Sequence, residues 1–555
     1  MTLVRCYRLA FSALFASVAV TQSAAVWCAA PGFEEPNNWP QYHRTYNAWR
    51  YSPLDQINRE NVKRLKVAWI HQPGDITHGI QATPIVLDGV IYYVSAFNTV
   101  HAVDGATGRQ LWKYKPKLDA AVPQTVFPAW SRGVAVGHGR VYLGTLDGRG
   151  IALDQKTGQE LWAVQLTAFK GCQGCNFTSP PVIAGDMLTF GATGGDLVSS
   201  GKIYGVSSST GELVWAFDTI KDDPKSWPGE SGKHGGGGAW LPGTYDPTSD
   251  SVFYGTGNAA PWAGEDREGD NLYTGSVISL DPKTGTLKWF RQEVPHDVWD
   301  YDSAYEALLI SKDGRDLLVH LNKGGFVFVM DKQDGKLENV WRFSKHVTWV
   351  ENIDPKTGEL IGRHDHRMGE AMTQCPASSG GRQWNAGAYS PRTKLWYVNA
   401  FEACMTWTPT RVDPAKLPLA QAFTAIKDVK RVPPPNEPAS ARFDARDPFT
   451  GEVKWTIDYA LPAYAGVLAT AGDLVFNEDA EGIVRAHDAH TGKELWSFRT
   501  GSGSRGGIVS YAVDGRQYIL VPSGFGGYAS LFGPQWFPGL ANVNGGAALI
   551  AFTLE

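Results

Sequence analysis

One unit recurs along the chain and restricts its fold more than any other feature: an apolar strand, an Asp, a short turn closed by Thr-Gly, and a second strand ending in Trp. It reads Ala102-x-Asp104-x-x-Thr107-Gly108-x-x-x-Trp112, and again Ala152-x-Asp154-x-x-Thr157-Gly158-x-x-x-Trp162. Further copies end at Trp215, Trp289, Trp455 and Trp496, a looser copy runs from Asp331 to Trp341, and Trp69 closes a first, half-visible unit. Asp and Thr favour a tight turn and Gly supplies the positive φ. The Trp offers a wide ring that can wedge between neighbouring sheets. Four-stranded sheets stacked radially protect their edges, and a first strand paired with a last closes the ring. Most closing Trp are spaced 41–53 residues apart, which fits propeller blades better than an open β-solenoid or a two-sheet sandwich. Eight closing Trp therefore predict an all-β, eight-bladed β-propeller, with the C-terminal strand Ala547–Leu554 as the partner of the Trp69 unit. The longer gaps, Trp215 to Trp289 and Trp341 to Trp455, predict loop insertions, among them 351–372 and the Pro-rich 409–438.

Composition agrees: 62 Gly and 21 Trp in 555 residues suit many short strands and a recurring aromatic packing position. A net charge of -5 with no long basic run argues against a nucleic-acid partner. Arg5 and Arg8 precede the uncharged stretch Leu9–Val20 and the small residues Ser23-Ala24-Ala25, the pattern of an export signal. Residues 1–30 are expected to be a signal peptide removed on export to the periplasm, leaving 31–555 as a single propeller domain. A retained N-terminal anchor is the alternative, although a stretch of that length is short for a bilayer. No later segment is long and apolar enough to cross a membrane. Cleavage after Ala30 leaves four Cys, an even number suited to disulfides in an oxidising compartment.

The repeat resembles the Trp-docking repeat of the pyrroloquinoline quinone (PQQ) dependent, or quinoprotein, alcohol dehydrogenases, over nearly the whole mature chain. Similar repeats also build non-catalytic propellers, so function has to be read from polar residues on the loops at one end of the ring. His296-Asp-Val-Trp-Asp300-Tyr-Asp302 looks like the catalytic segment of that family. The match implies that Asp300 is the general base taking the alcohol's proton while hydride passes to the quinone. Asp302 matches the extra acid of lanthanide-using members. Gly255-Thr-Gly-Asn258 resembles the segment with an Asn metal ligand, and Gly191-Ala-Thr-Gly-Gly-Asp196 the one with a metal-binding Glu, here shortened to Asp. The implied metal set is Asp196, Asn258, Asp300 and Asp302, around one Ca2+ or lanthanide(III) ion, with the added acid leaning towards the lanthanide.

For the cofactor PQQ, the match implies that Trp240, after four glycines, stacks on the quinone ring. Arg132 pairs with a quinone oxygen or carboxylate, and Lys323 stabilises negative charge on the reactive carbonyls. Gln81, Thr178, Thr193, Gly194, Gly195, Gln383 and Trp384 match further cofactor positions. Two departures reshape the pocket. Val126-Phe127 stand where many members carry two adjacent Cys, and Tyr464 stands where the family often has Trp. The resemblance also implies a structural disulfide between Cys375 and Cys404. Cys172-Gln-Gly-Cys175 lacks the His of a haem attachment site and reads as a loop disulfide. Gly501-Ser-Gly-Ser-Arg-Gly506 has the spacing of a dinucleotide fingerprint but precedes an apolar strand rather than a helix, so it is rejected. His364-Asp-His366 reads as an exposed insertion. The expected activity is oxidation of a primary or secondary alcohol, bulky or sugar-like ones included, to the aldehyde or ketone, with electrons leaving to a separate acceptor such as a periplasmic cytochrome c. The competing readings are a propeller that binds without catalysis and a quinoprotein acting on aldehydes or sugars.

Overall fold

The structure, a computed structural model, describes residues 35–125, 129–169, 174–418 and 421–555. The signal-peptide segment, Val126-Phe127 and Cys172 lie outside the described residues. One five-stranded and seven four-stranded sheets make up the bulk, with one three-stranded and one two-stranded sheet added. Six of the four-stranded sheets are meanders in chain order or nearly so, such as Ile85–Leu87, Val90–Ser95, Thr99–Asp104 and Gln110–Tyr114. First strands of neighbouring sheets lie side by side, Ile85–Leu87 against Ala135–Gly137 and that strand against Val182–Ala184. This radial arrangement is a β-propeller. Second and third strands are buried along almost their whole length, because each sheet is covered on both faces by its neighbours. The outer strands, such as Glu160–Gln165, are largely exposed.

The tryptophans join the sheets as the repeat predicts. A Cβ placed on Gly108, Gly158, Gly211, Gly285, Gly335, Gly451 or Gly492 would lie 2.3–2.9 Å from the ring of the preceding closing Trp. Only glycine permits that contact, and these positions also have φ of +69° to +77°. Most of the indoles donate to a backbone carbonyl of the next turn, as Trp69 does to Gly105 at 3.1 Å and Trp215 to Pro282 at 3.0 Å. Trp496 meets Phe552 edge-on instead, at 5.1 Å between ring centroids. Closure uses both ends of the chain. Leu65–His71 pairs antiparallel with Ala548–Leu554, as the half-visible first unit requires.

The long gap before Trp455 holds two additions: the hairpin Asn352–Ile353/Leu360–Ile361, and a sheet of Met372–Gln374, Cys404–Pro409 and Ile426–Val432. The Cys375–Cys404 disulfide forms at the base of that sheet, with Cα atoms 4.5 Å apart. Cys175 is also disulfide-bonded. His364 is exposed as expected, but His366 is not. It is buried, stacked on Trp407 at 3.8 Å, with Nε2 2.9 Å from Gln374 Oε1. An aromatic partner and a buried amide outweigh the polarity of the segment. No helix among the described residues is long and apolar enough to cross a membrane.

Candidate active site

In an antiparallel meander, the entry to the first strand and the turn between the second and third strands lie at the same end of the sheet. The Asp-Thr-Gly turns, between third and fourth strands, lie at the other end. Arg132, Thr178, Trp240, Asp300, Asp302, Gln383 and Trp384 precede first strands, while Asp196, Asn258 and Lys323 sit between second and third strands. Topology alone thus gathers residues as far apart as Arg132 and Trp384 onto one end of the propeller. They line a cavity of about 430 Å³ together with Thr193, Gly194 and Gly195.

Lys323 Nζ lies 2.9 Å from Asp300 Oδ1 and 2.5 Å from Asp302 Oδ2. The other Asp302 oxygen accepts the Asn258 backbone N–H at 2.8 Å. Asp196 Oδ1 accepts from Asn258 Nδ2 at 2.9 Å and from Trp262 Nε1 at 2.8 Å. Burial pushes the Asp300 carboxyl well above the usual carboxylate range; Lys323 opposes this, and the like charges of Asp196 and Asp302 add to it. Burial raises Asp196 in the same way. Burial alone would lower the Lys323 ammonium, but Asp300 and Asp302 outweigh it and hold that group well above its usual range.

Elsewhere on the lining, the Arg132 guanidinium lies 4.9 Å from the Trp240 ring and 4.8 Å from the Trp384 ring. Its Nη1 donates to Thr178 Oγ1, so Thr178 orients Arg132. Thr193 lines the cavity with its hydroxyl already engaged, donating to the Gly174 carbonyl at 2.8 Å. Gln81 does not line the cavity. It is buried beside the lining, where a Cβ on Gly527 would lie 3.1 Å from its Nε2 and 3.6 Å from the ring of Trp130, itself a lining residue.

Several lining residues carried no sequence signal. Met405, Ile426, Val429 and Arg431 come from the added three-stranded sheet, and Tyr528 and Phe532 from the short helix Tyr528–Phe532. Asp297, three residues before Asp300, holds the loop that carries it. Its carboxylate accepts the N–H of Trp299 and of Tyr301, each at 2.8 Å, which brackets Asp300 at φ +66°. Arg505 reaches the cavity from the rejected fingerprint segment, which leads into the strand Val509–Val513 and not into a helix.

The donor set fits the groups that the resemblance implies. Two indole faces and a guanidinium suit a flat, acidic molecule, and Arg132 Nε has no hydrogen-bond partner. Three carboxylates and an Asn amide on one wall suit a hard cation. The acids are not a ready-made metal centre, however. Among the described residues no group of three or more His, Cys, Asp or Glu is arranged to hold an ion, and Lys323 is the cation between Asp300 and Asp302.

Residues 39–348 and 436–519 match the family described as glucose/ethanol/alcohol dehydrogenase, beta-propeller domain (PQQ). The chain belongs to the PQQ-dependent dehydrogenase family. Among its relatives are the quinoprotein alcohol dehydrogenase PedH of Pseudomonas putida, 34% identical over 91% of this chain and 89% of that one. A quinoprotein ethanol dehydrogenase of Pseudomonas putida is 34% identical over 89% and 86%. Of solved structures, the quinohemoprotein alcohol dehydrogenase ADHIIG of Pseudomonas putida superposes with a TM-score of 0.88, at 32% identity, over 94% of this chain and 81% of that one. A europium-containing methanol dehydrogenase gives 0.87, at 29% identity, over 94% and 99%. The PQQ-family membership turns the loop residues at the propeller's end from a polar cavity into a candidate redox site.

Proposed function

We propose that the protein is a periplasmic PQQ-dependent dehydrogenase that oxidises a primary or secondary alcohol to the aldehyde or ketone. The observation that carries this reading is the cavity itself, whose lining brings Asp300 paired with Lys323 together with Arg132 set against Trp240 and Trp384. PQQ, when bound, supplies the two-electron acceptor for the alcohol's hydride. Arg132 and Lys323 would hold its acidic and carbonyl oxygens, with Trp240 and Trp384 as flat walls. Asp196, Asn258, Asp300 and Asp302 would hold one Ca2+ or lanthanide(III) ion, whose charge offsets their mutual repulsion.

Asp300 takes the hydroxyl proton at its carboxylate. Its backbone, fastened by Asp297, keeps that oxygen in place, and burial excludes water from competing for it. Met405, Ile426, Val429 and Phe532 give the cavity an apolar side, which suits an alcohol with a hydrocarbon body. We further read residues 1–30 as a signal peptide, 31–555 as one domain of eight blades, and the electron acceptor as a separate protein such as a cytochrome c.

The test is reconstitution of the purified protein with PQQ and metal, followed by dye-linked activity against primary, secondary, sugar and polycyclic alcohols. Turnover of at least one alcohol class, dependent on PQQ, is expected. PQQ-independent behaviour, or oxidation of aldehydes alone, overturns the reading.

A further inference from the structure

Arg505 is 2% exposed and lines the same cavity. Its guanidinium lies 5.5 Å from the Trp384 ring and 5.4 Å from the Tyr464 ring. The buried phenol of Tyr464 carries Arg505 on its face. The loop is held in place by Asn385, which donates Nδ2 to the Arg505 carbonyl at 2.7 Å. Arg505 is thereby tied to the segment that carries Trp384.

The charge of this side chain is unanswered. Nε and Nη1 of Arg505 are buried without a hydrogen-bond partner, as is Nε of Arg132. Arg132 and Arg505 approach the same indole, Trp384, at 4.8 and 5.5 Å, so two guanidiniums meet at one end of the cavity. The acids Asp196, Asp300 and Asp302 cannot serve them, since they are engaged with Lys323, Asn258 and Trp262. A buried, unpaired guanidinium is costly and two together more so, unless a ligand brings the counter-charge.

We propose that Arg505 is a second anion-binding guanidinium of the cavity and pairs, beside Arg132, with a carboxylate of the cofactor. The inference rests on the reading of the protein as a PQQ enzyme. A substrate carboxylate would offer the same chemistry, but the shared contact with Trp384 and Arg132 favours the cofactor. Burial lowers Arg505 to about 10 and Arg132 to about 9, and a bound anion reverses that shift for both.

The experiment uses the full chain, freed of PQQ, as wild type, Arg505→Gln and Arg505→Lys. PQQ is titrated by quenching of tryptophan fluorescence, and thermal melting is recorded with and without PQQ. Arg505→Gln is expected to bind PQQ about 10–100-fold more weakly, the loss of a charge-assisted hydrogen bond, with Arg505→Lys in between. Without PQQ, Arg505→Gln should melt no lower than wild type, since an unpaired buried charge has been removed. An unchanged PQQ affinity with a lowered melting temperature marks a structural guanidinium and overturns the proposal. An unchanged PQQ affinity with a raised KM for a hydroxy acid, but not for its neutral analogue, assigns Arg505 to the substrate and also overturns it. Wild type that fails to bind PQQ overturns the enzyme reading itself, whereas wild type and Arg505→Gln binding equally overturn only the role of Arg505.

Discussion

The carboxylate of Asp297 accepts the backbone N–H of Tyr301 at 2.8 Å, across a loop in which Asp300 is held at φ +66°. A left-handed non-glycine residue is strained and persists only where its surroundings hold it. The same carboxylate accepts Trp299 N–H, and Arg363 closes the loop from outside, its guanidinium 4.8 Å from the Trp299 ring. Arg363 Nη2 also donates to the His296 carbonyl at 2.6 Å. Replacing Asp297 by Ala removes both loop bonds, which is expected to cost roughly 2–4 kcal/mol of stability. It should lower kcat more than it raises the KM for the alcohol, because the base is displaced. Melting curves and steady-state kinetics check both, and an unchanged kcat would show that the loop is held without Asp297.

Asp300→Asn keeps the shape of the side chain and removes its basicity. The variant should fold, bind PQQ with near wild-type affinity, and lose turnover by about 10²-fold or more. Retained alcohol oxidation would place the base elsewhere.

Asp302 lies 2.5 Å from Lys323 and accepts the Asn258 N–H, so it shares a wall with Asp196 and Asp300. A trivalent ion offsets three clustered carboxylates better than a divalent one. Metal-free protein reconstituted with PQQ and either lanthanum or calcium should therefore lose lanthanum-supported activity far more than calcium-supported activity on Asp302→Ala. Equal responses to the two ions would make Asp302 an ordinary loop acid.

Burial holds several histidines neutral, His43 lowered to about 3 and His101, His366 and His487 to about 4. Their folded values lie below the unfolded value near 6.5, so the unfolded chain binds more protons between those limits. Stability is fully present above about pH 6.5 and is lost as pH falls towards 4, by on the order of 3 kcal/mol for each such group. Melting temperature should drop steeply across that window. His487→Gln should flatten the slope, and a pH-independent melting temperature would contradict the assignment.

Gly285→Ala would place a Cβ 2.5 Å from Cε3 of Trp215 at a φ of +70°, whereas Gly314, at φ +76°, has open space around it. Gly285→Ala should cost roughly 2–4 kcal/mol and Gly314→Ala only about 1. The difference measures the wedge that joins two sheets. Equal losses would mean that backbone strain, not the Trp contact, sets the requirement for glycine.

By itself the sequence determined the repeat, and with it the sheets, because Asp, Thr, Gly and Trp act within one hairpin and its neighbour. It also determined which loop segments carry the acids, Lys323, Arg132 and Trp240, because each stands in a short motif of its own. Closure was legible as an unpaired first unit and a spare last strand, and Leu65–His71 and Ala548–Leu554 do pair. Only the tertiary structure decided what faces the cavity. His366 turned out to be buried and stacked on Trp407, since burial of a polar group depends on partners far away in the chain. Arg505 sat in a segment with no legible role, and its meaning comes from Trp384 and Tyr464, 121 and 41 residues earlier. A charge becomes a binding group when folding strips its water and leaves it unpaired, and that depends on three-dimensional neighbours that no local motif encodes.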